Sequence, residues 1–269
     1  MTYFGFLLRF LVIPIAVLLV LTYRDRRQGR ALPPALGSLS PWAALAVLIV
    51  IAVVYTAPWD NYLVATEVWG YDPALVTGIT LGWVPLEEYV FFALQPVLAG
   101  LWLVFLARRV PLGPVTPRPR LRAVATGATG ATWLASAIVL LSGWAPGTYL
   151  ALQLVWALPP IGLQLAFGAD ILWSYRRLVV LGIGPATLYL SAMDTLAIHS
   201  GTWTINLDRS LGILLGGTLP LEEAVFFLLT NTLLGFGLVL ALAREGTRRL
   251  PAPVLNRLVK RDREPFPSR

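Results

Sequence analysis

Long apolar runs separated by short polar stretches dominate the pattern along the chain. As spans they cover approximately residues 4–21, 40–57, 85–106, 123–142, 150–167, 178–194 and 213–242, the last with a break expected before Pro220. Roughly 20 consecutive apolar residues suffice to cross a bilayer, so the pattern predicts about seven transmembrane helices. Pro111, Pro114, Pro117 and Pro119 stand among arginines in the stretch 108–121, which cannot be helical throughout and is expected to be a linker. No basic cluster precedes the first run and no small-residue cleavage site precedes Arg24, so this run is expected to remain as a helix rather than leave as a signal peptide.

The polar stretches alternate in charge. Arg24, Arg26, Arg27 and Arg30 follow the first run, Arg108, Arg109, Arg118, Arg120 and Arg122 the third, and Arg176 and Arg177 the fifth. The tail from Arg244 to Arg269 is also basic, whereas Asp60, Glu67, Asp72, Asp194 and Asp208 mark the connections after the second and sixth runs. This satisfies the positive-inside rule and predicts a multi-pass protein of the cell membrane, with the N-terminus outside and the basic tail in the cytoplasm near anionic head groups. The net charge of +7 therefore calls for no nucleic-acid partner.

Composition agrees with membrane insertion: 57% of residues are apolar and 13% charged, about half the charge of a soluble domain of this length. Cysteine is absent, which excludes disulfides and thiolate catalysis, and a single histidine, His199, cannot build an ordinary zinc or iron site. His199 has no counterpart in the other half of the chain and is expected at the surface of an outer loop. No G-x-G-x-x-G follows a strand, so neither a flavin nor a nicotinamide is expected, and no cofactor or metal is implied.

The two halves match. PLEEYVFF begins at Pro85 and PLEEAVFF at Pro220, 135 positions apart, with one residue in the eight differing. Upstream, Asp60 corresponds to Asp194 and Trp69 to Trp203 at a separation of 134, so one inserted residue lies between the two blocks; Pro14 has a weaker counterpart in Pro160. The predicted fold is all-α integral membrane, with about seven transmembrane helices forming two parallel three-helix repeats joined by one linking helix. The expected units are a first repeat at 1–107, a linker with its helix at 108–148, a second repeat at 149–243 and a basic tail at 244–269.

A single Pro-Leu-Glu-Glu is an ordinary helix start, with proline suited to the first helical position and acids favoured in the first turn by the helix dipole. Its duplication within an apolar segment points further, because carboxylates there are costly and mark function. Helical spacing is expected to set Phe91 over Glu87 and Phe92 over Glu88, with Phe226 and Phe227 over Glu222 and Glu223. Apolar walls and a neighbouring carboxylate favour a protonated acid, while a helix N-terminus favours the carboxylate, so paired acids in unlike surroundings can yield one donor and one acceptor. Asp60 and Asp194 end the second span of each half, where they either hydrogen-bond the glutamates or solvate a helix end. Gln95 and Thr230 occupy matching positions two turns below the acids. Trp59, Trp69, Trp83 and Trp203 fall near the same face, as an interfacial belt or as ring faces for a cationic intermediate.

The duplicated P-L-E-E followed by an apolar-Phe-Phe run, with Asp and Trp upstream, resembles the lycopene cyclase domain family from Phe4 to Leu242. Members of that family occur as two small subunits, as one fused chain, or as the front part of fungal bifunctional enzymes. No phytoene synthase domain follows, so the resemblance is to the fused, cyclase-only form of this type and not to the flavin-dependent type. It implies a lycopene β-cyclase that turns the acyclic ends of lycopene, or of a related and longer carotenoid, into β- or ε-ionone rings through a carbocation. Glu87, Glu88, Glu222 and Glu223 are then the candidate acids and bases, Asp60, Asp194, Pro85 and Pro220 support them, and Phe91, Phe92, Phe226, Phe227, Trp69 and Trp203 line the carbocation. Membrane lipids and other carotenoid-biosynthesis enzymes are the implied partners, and family members made of two required subunits imply one shared site.

Other classes fit less well. A small carrier with parallel three-helix repeats needs polar residues at mid-span, where this chain has Leu, Val, Ala and Ile. A retinal protein needs an intramembrane lysine, but the only lysine is Lys260 in the tail. A membrane prenyltransferase needs an aspartate-rich motif such as D-x-x-x-D for magnesium diphosphate, and none is present.

Overall fold

Inside hydrocarbon every backbone N–H and C=O must be paired within its own segment, and the apolar runs meet this demand as helices. The computed structural model describes residues 1–250; most of the expected basic tail, including Lys260, lies outside the described residues. Among the described residues seven helices are long and apolar enough to span a membrane: α1 Tyr3–Arg27, α2 Pro41–Ala65, α3 Leu86–Ala107, α4 Pro119–Leu141, α5 Ala145–Ser174, α6 Arg176–His199 and α7 Leu221–Leu242. A short helix, α8 Arg244–Arg248, follows. Helices α3 and α7 are the most buried and pack on each other, α3 also touching α1, α2 and α6, and α7 touching α2, α5 and α6. The expected linking helix, α4, is the least buried and packs against α5.

Several boundaries differ from the sequence pattern. Helix α2 continues through Pro58 to Ala65, so Asp60 sits inside it rather than at its end. Asp194 is likewise internal to α6, which ends at an exposed His199 rather than in a loop. Tyr175 alone separates α5 from α6, leaving Arg176 and Arg177 at the head of a helix rather than in a connection. The stretch 213–220, expected as the start of the seventh span, is a hairpin of β5 Leu214–Leu215 and β6 Leu219–Pro220. Its counterpart joins β2 Thr80–Leu81 to β3 Val84–Pro85. Pro85 and Pro220 therefore close strands in extended conformation, just before the helices rather than at their first position. The inserted residue lies here too: two residues, Gly82 and Trp83, turn the first hairpin, and three, Gly216, Gly217 and Thr218, turn the second. Gly82, Gly216 and Gly217 have positive φ, which glycine adopts without strain.

β1 Trp69–Tyr71 pairs antiparallel with β4 Trp203–Ile205, in the register Trp69 to Ile205, Gly70 to Thr204 and Tyr71 to Trp203. Residues 134 positions apart thus exchange places across the pair. At the opposite end of the bundle, buried Asp25 binds Arg109 at 2.7 Å and Arg108 at 3.4 Å, and buried Asp170 binds both terminal nitrogens of Arg249 at 2.8 Å.

Prolines inside the spans leave carbonyls unpaired four residues earlier, and at Pro14, Pro159, Pro160 and Pro185 an aromatic side chain fills the place. Tyr189 donates to Phe10 O below Pro14 at 2.9 Å, and Tyr55 to Trp156 O below Pro160 at 2.8 Å. Trp133 serves Val155 O below Pro159 at 3.2 Å, and Trp102 serves Leu181 O below Pro185 at 3.0 Å. A π-type turn at Leu8–Val12 widens α1 where the ring of Pro14 would otherwise meet the preceding turn.

Candidate active site

Adjacent residues on a helix point roughly 100° apart, so the two glutamates of each motif face different surroundings. The first of each pair ties down a loop: Glu87 accepts the backbone N–H of Thr77 at 2.7 Å, and Glu222 accepts that of Leu211 at 2.7 Å and the hydroxyl of Ser210 at 3.1 Å. The second of each pair takes tyrosine hydroxyls instead. Tyr3 and Tyr71 both donate to Glu88, the latter at 3.0 Å, and Tyr149 donates to Glu223 at 2.5 Å. All four carboxyl groups are buried.

Glu88 and Glu223 border one small cavity of about 30 Å³ beneath the β1–β4 pair, together with Asp194, Trp69, Trp203, Phe91, Phe226 and Phe227. Its wall is largely aromatic: Trp203 lies 4.9 Å from Tyr3 and 5.0 Å from Phe6 between ring centres, Trp69 meets Phe226 edge-on at 6.1 Å, and Phe91 meets Phe227 at 6.4 Å. Among the described residues no basic side chain lines it. Tyr3, from the first half, packs on Trp203 from the second, while Tyr149 from the second packs on Trp69 from the first at 5.7 Å. Both halves thus build both sides.

Of the residues expected to cluster, Glu87, Glu222, Asp60 and Phe92 do not line this cavity, and Pro85 and Pro220 stand behind it in the hairpins. Phe91 borders the cavity with Glu88, its neighbour three positions back, and Phe226 does the same with Glu223, because helical side chains meet at three- as well as four-residue spacing. Asp194 accepts the indole N–H of Trp203 at 2.8 Å and not a glutamate proton. The indole N–H of Trp69 stands beside buried Asp60, as Trp203 stands beside Asp194, but among the described residues the two do not meet at good hydrogen-bond geometry. Gln95 bonds Asn231 at 2.8 Å, one position beyond the expected Thr230. Among the four tryptophans, Trp83 is exposed on its hairpin, whereas Trp59 stacks on Trp156 at 4.6 Å and on Phe226 at 5.9 Å.

Three tyrosines escaped the sequence reading. Tyr3 and Tyr149 stand 146 positions apart, the separation of Pro14 and Pro160, so extending that match would have found them. Tyr71 has Ile205 as its counterpart and left no repeat signal. Burial, followed by the carboxyl groups of Asp60 and Glu88, holds the Tyr71 phenol well above its ordinary range, so it stays a proton-bearing donor.

A family model for lycopene cyclase matches residues 1–106 and 146–240. The chain is 37% identical over 199 residues to a lycopene beta-cyclase of Halobacterium salinarum, covering 74% of this chain and 81% of that one. A bifunctional lycopene cyclase/phytoene synthase of Gibberella fujikuroi is 35% identical over 238 residues, covering 84% of this chain and 38% of the relative, and that of Phaeosphaeria nodorum is 37% identical over 243 residues with the same coverage. The chain therefore spans well under half the length of these bifunctional relatives. No solved structure matches. By the family model over both halves and the identity to these relatives, this chain, with its seven apolar spans, belongs to the lycopene cyclase family.

Proposed function

We propose that this membrane enzyme is a lycopene β-cyclase working by non-redox acid/base chemistry, and that Glu88 and Glu223 exchange the proton. The observation that carries this reading is the meeting of the two carboxyl groups, one from each motif, in a single aromatic cavity without a basic side chain. One acid adds a proton to the terminal double bond of the acyclic end, leaving a tertiary carbocation. The neighbouring double bond attacks that carbon, the six-membered ring closes, and the charge moves to a ring carbon. A base then removes an adjacent proton, so the product is an isomer of the substrate with nothing oxidised or reduced.

Accepting two hydroxyl donors suits a carboxylate, which makes Glu88 the proton acceptor, and Glu223, with one such donor, the proton source. Ring faces of Trp69, Trp203, Phe91 and Phe226 stabilise the cation, and the apolar wall keeps water from quenching it. Glu87 and Glu222 hold the loops that roof the site, and Asp194 orients Trp203. The fold is a duplication, and the exchange of equivalent residues across the β1–β4 pair supports a two-fold relation with the site on its axis. By the placement of the arginines, the hairpin end faces outward and the Asp25 and Asp170 end faces the cytoplasm.

Expression in a bacterial host that accumulates lycopene, with chromatography of the pigments, tests the activity. Appearance of cyclised product is expected; unchanged lycopene with the protein present in the membrane would reject the reading.

A further inference from the structure

Two grooves open from the apolar flanks of the bundle towards the acid cavity, and they occupy matching places in the two halves. One, of about 450 Å³, lies between α1, α3 and α6, and the other, of about 170 Å³, lies between α2, α3, α5 and α7. Pro14, Ala186 and Tyr189 line the first where Pro160, Ala52 and Tyr55 line the second, at separations of 146, 134 and 134. Two of the differences between the halves change polarity. Leu18 and Leu190 in the larger groove face Gln164 and Thr56 in the smaller, which also holds Gln95 and Thr230.

The acid cavity, at about 30 Å³, is room for about two water molecules and cannot hold a cyclising end group as it stands. Leu190 lines both that cavity and the larger groove, so it is the partition between them. A hydrocarbon in the larger groove meets Ile13, Val17, Leu98 and Ala99 without burying an unmet polar atom. In the smaller groove it would lie against Gln95, Gln164 and Thr230, polar side chains that gain nothing from contact with hydrocarbon. The larger groove is also stiff. Trp102 is pinned by its bond to Leu181 O and Tyr189 by its bond to Phe10 O, giving fixed flat walls that suit a rigid conjugated chain better than a flexible acyl tail.

We propose that the α1/α3/α6 groove is the berth of the unreacted polyene arm, and that Leu190 swings aside to admit the end group to Glu88 and Glu223. This assignment rests on the cyclase reading. It makes the two halves unequal: both supply acid chemistry, but one alone guides the substrate.

The test uses full-length protein purified from a lycopene-accumulating host, with a Glu223→Gln background keeping the pigment unconverted and the lycopene bound per protein read by absorbance. Ala186→Trp and, at the exposed lip, Val17→Trp should each lower bound lycopene fivefold or more, while Ala52→Trp in the matching groove leaves it within twofold. Unchanged binding in both Ala186→Trp and Val17→Trp, as expected if phospholipid tails fill the groove, would overturn the proposal, as would a loss with Ala52→Trp equal to that with Ala186→Trp. The cyclase reading is judged separately, by conversion in the unsubstituted protein. Lycopene bound in the groove but never converted would reject that reading and leave the berth standing; neither binding nor conversion would reject both.

Discussion

The hydroxyl of Tyr189 on α6 donates to the carbonyl of Phe10 on α1 at 2.9 Å, filling the bond that Pro14 cannot make. Tyr55 on α2 does the same for Trp156 on α5, beneath Pro160. Each bond joins a helix of one half to a helix of the other and fixes a wall of a lateral groove. Tyr189→Phe should leave the carbonyl unpaired in hydrocarbon at a cost of about 1–3 kcal/mol. Thermal unfolding in detergent should show a lowered midpoint, with Tyr55→Phe behaving alike.

Glu223 accepts one tyrosine hydroxyl and Glu88 accepts two, so the two carboxyl groups should respond unequally to tyrosine removal. Glu223 becomes charged as it gives up its proton, and a hydrogen bond to a charged group contributes about 1.5–3 kcal/mol, which corresponds to roughly 10–100-fold in rate. Tyr149→Phe should slow cyclisation by that order. Tyr71→Phe, which leaves Tyr3 on Glu88, should slow it less, as read by product formed over time in lycopene-loaded vesicles.

Glu222 serves structure through Leu211 N–H and the Ser210 hydroxyl. Glu222→Ala strands both donors, so the loop over 206–213 should open more readily. Limited proteolysis there should accelerate, whereas Glu223→Ala should leave the cleavage rate of that loop unchanged.

The buried ion pairs at the far end test a separate part of the fold. Asp170→Ala leaves the partly exposed Arg249 without its two 2.8 Å bonds, and a hydrogen bond to a charged group contributes about 1.5–3 kcal/mol. The amount of folded protein in the membrane should fall sharply. Protein that does fold should keep its turnover per molecule, because Asp170 lies at the opposite end from the acid cavity.

The spans were legible because hydrocarbon tolerates little besides long apolar helices, and the doubled motif pointed to the candidate site. Three features were hidden for physical reasons. Ile213, Leu214 and Leu215 are apolar but form a hairpin, since Gly216 and Gly217 turn the chain back. Glu87 and Glu88 are equivalent in sequence, and only the tertiary placement of the Thr77 amide separates a loop anchor from a cavity acid. Tyr71 could not be seen through the repeat because its counterpart is Ile205, and the role of Tyr3 depends on a contact 85 positions away.

In the proposed reading both halves wall one acid cavity, so the two ends of a substrate are cyclised in turn. The most direct measurement is the rate of ring formation by Glu88→Gln and Glu223→Gln, each compared with Glu87→Gln and Glu222→Gln at equal membrane protein. The account predicts loss of cyclisation by about two orders of magnitude or more in the first pair, as for removal of an acid or base, with activity retained by whatever folds in the second pair. Full activity in Glu88→Gln or Glu223→Gln, or equal loss in all four, would contradict it.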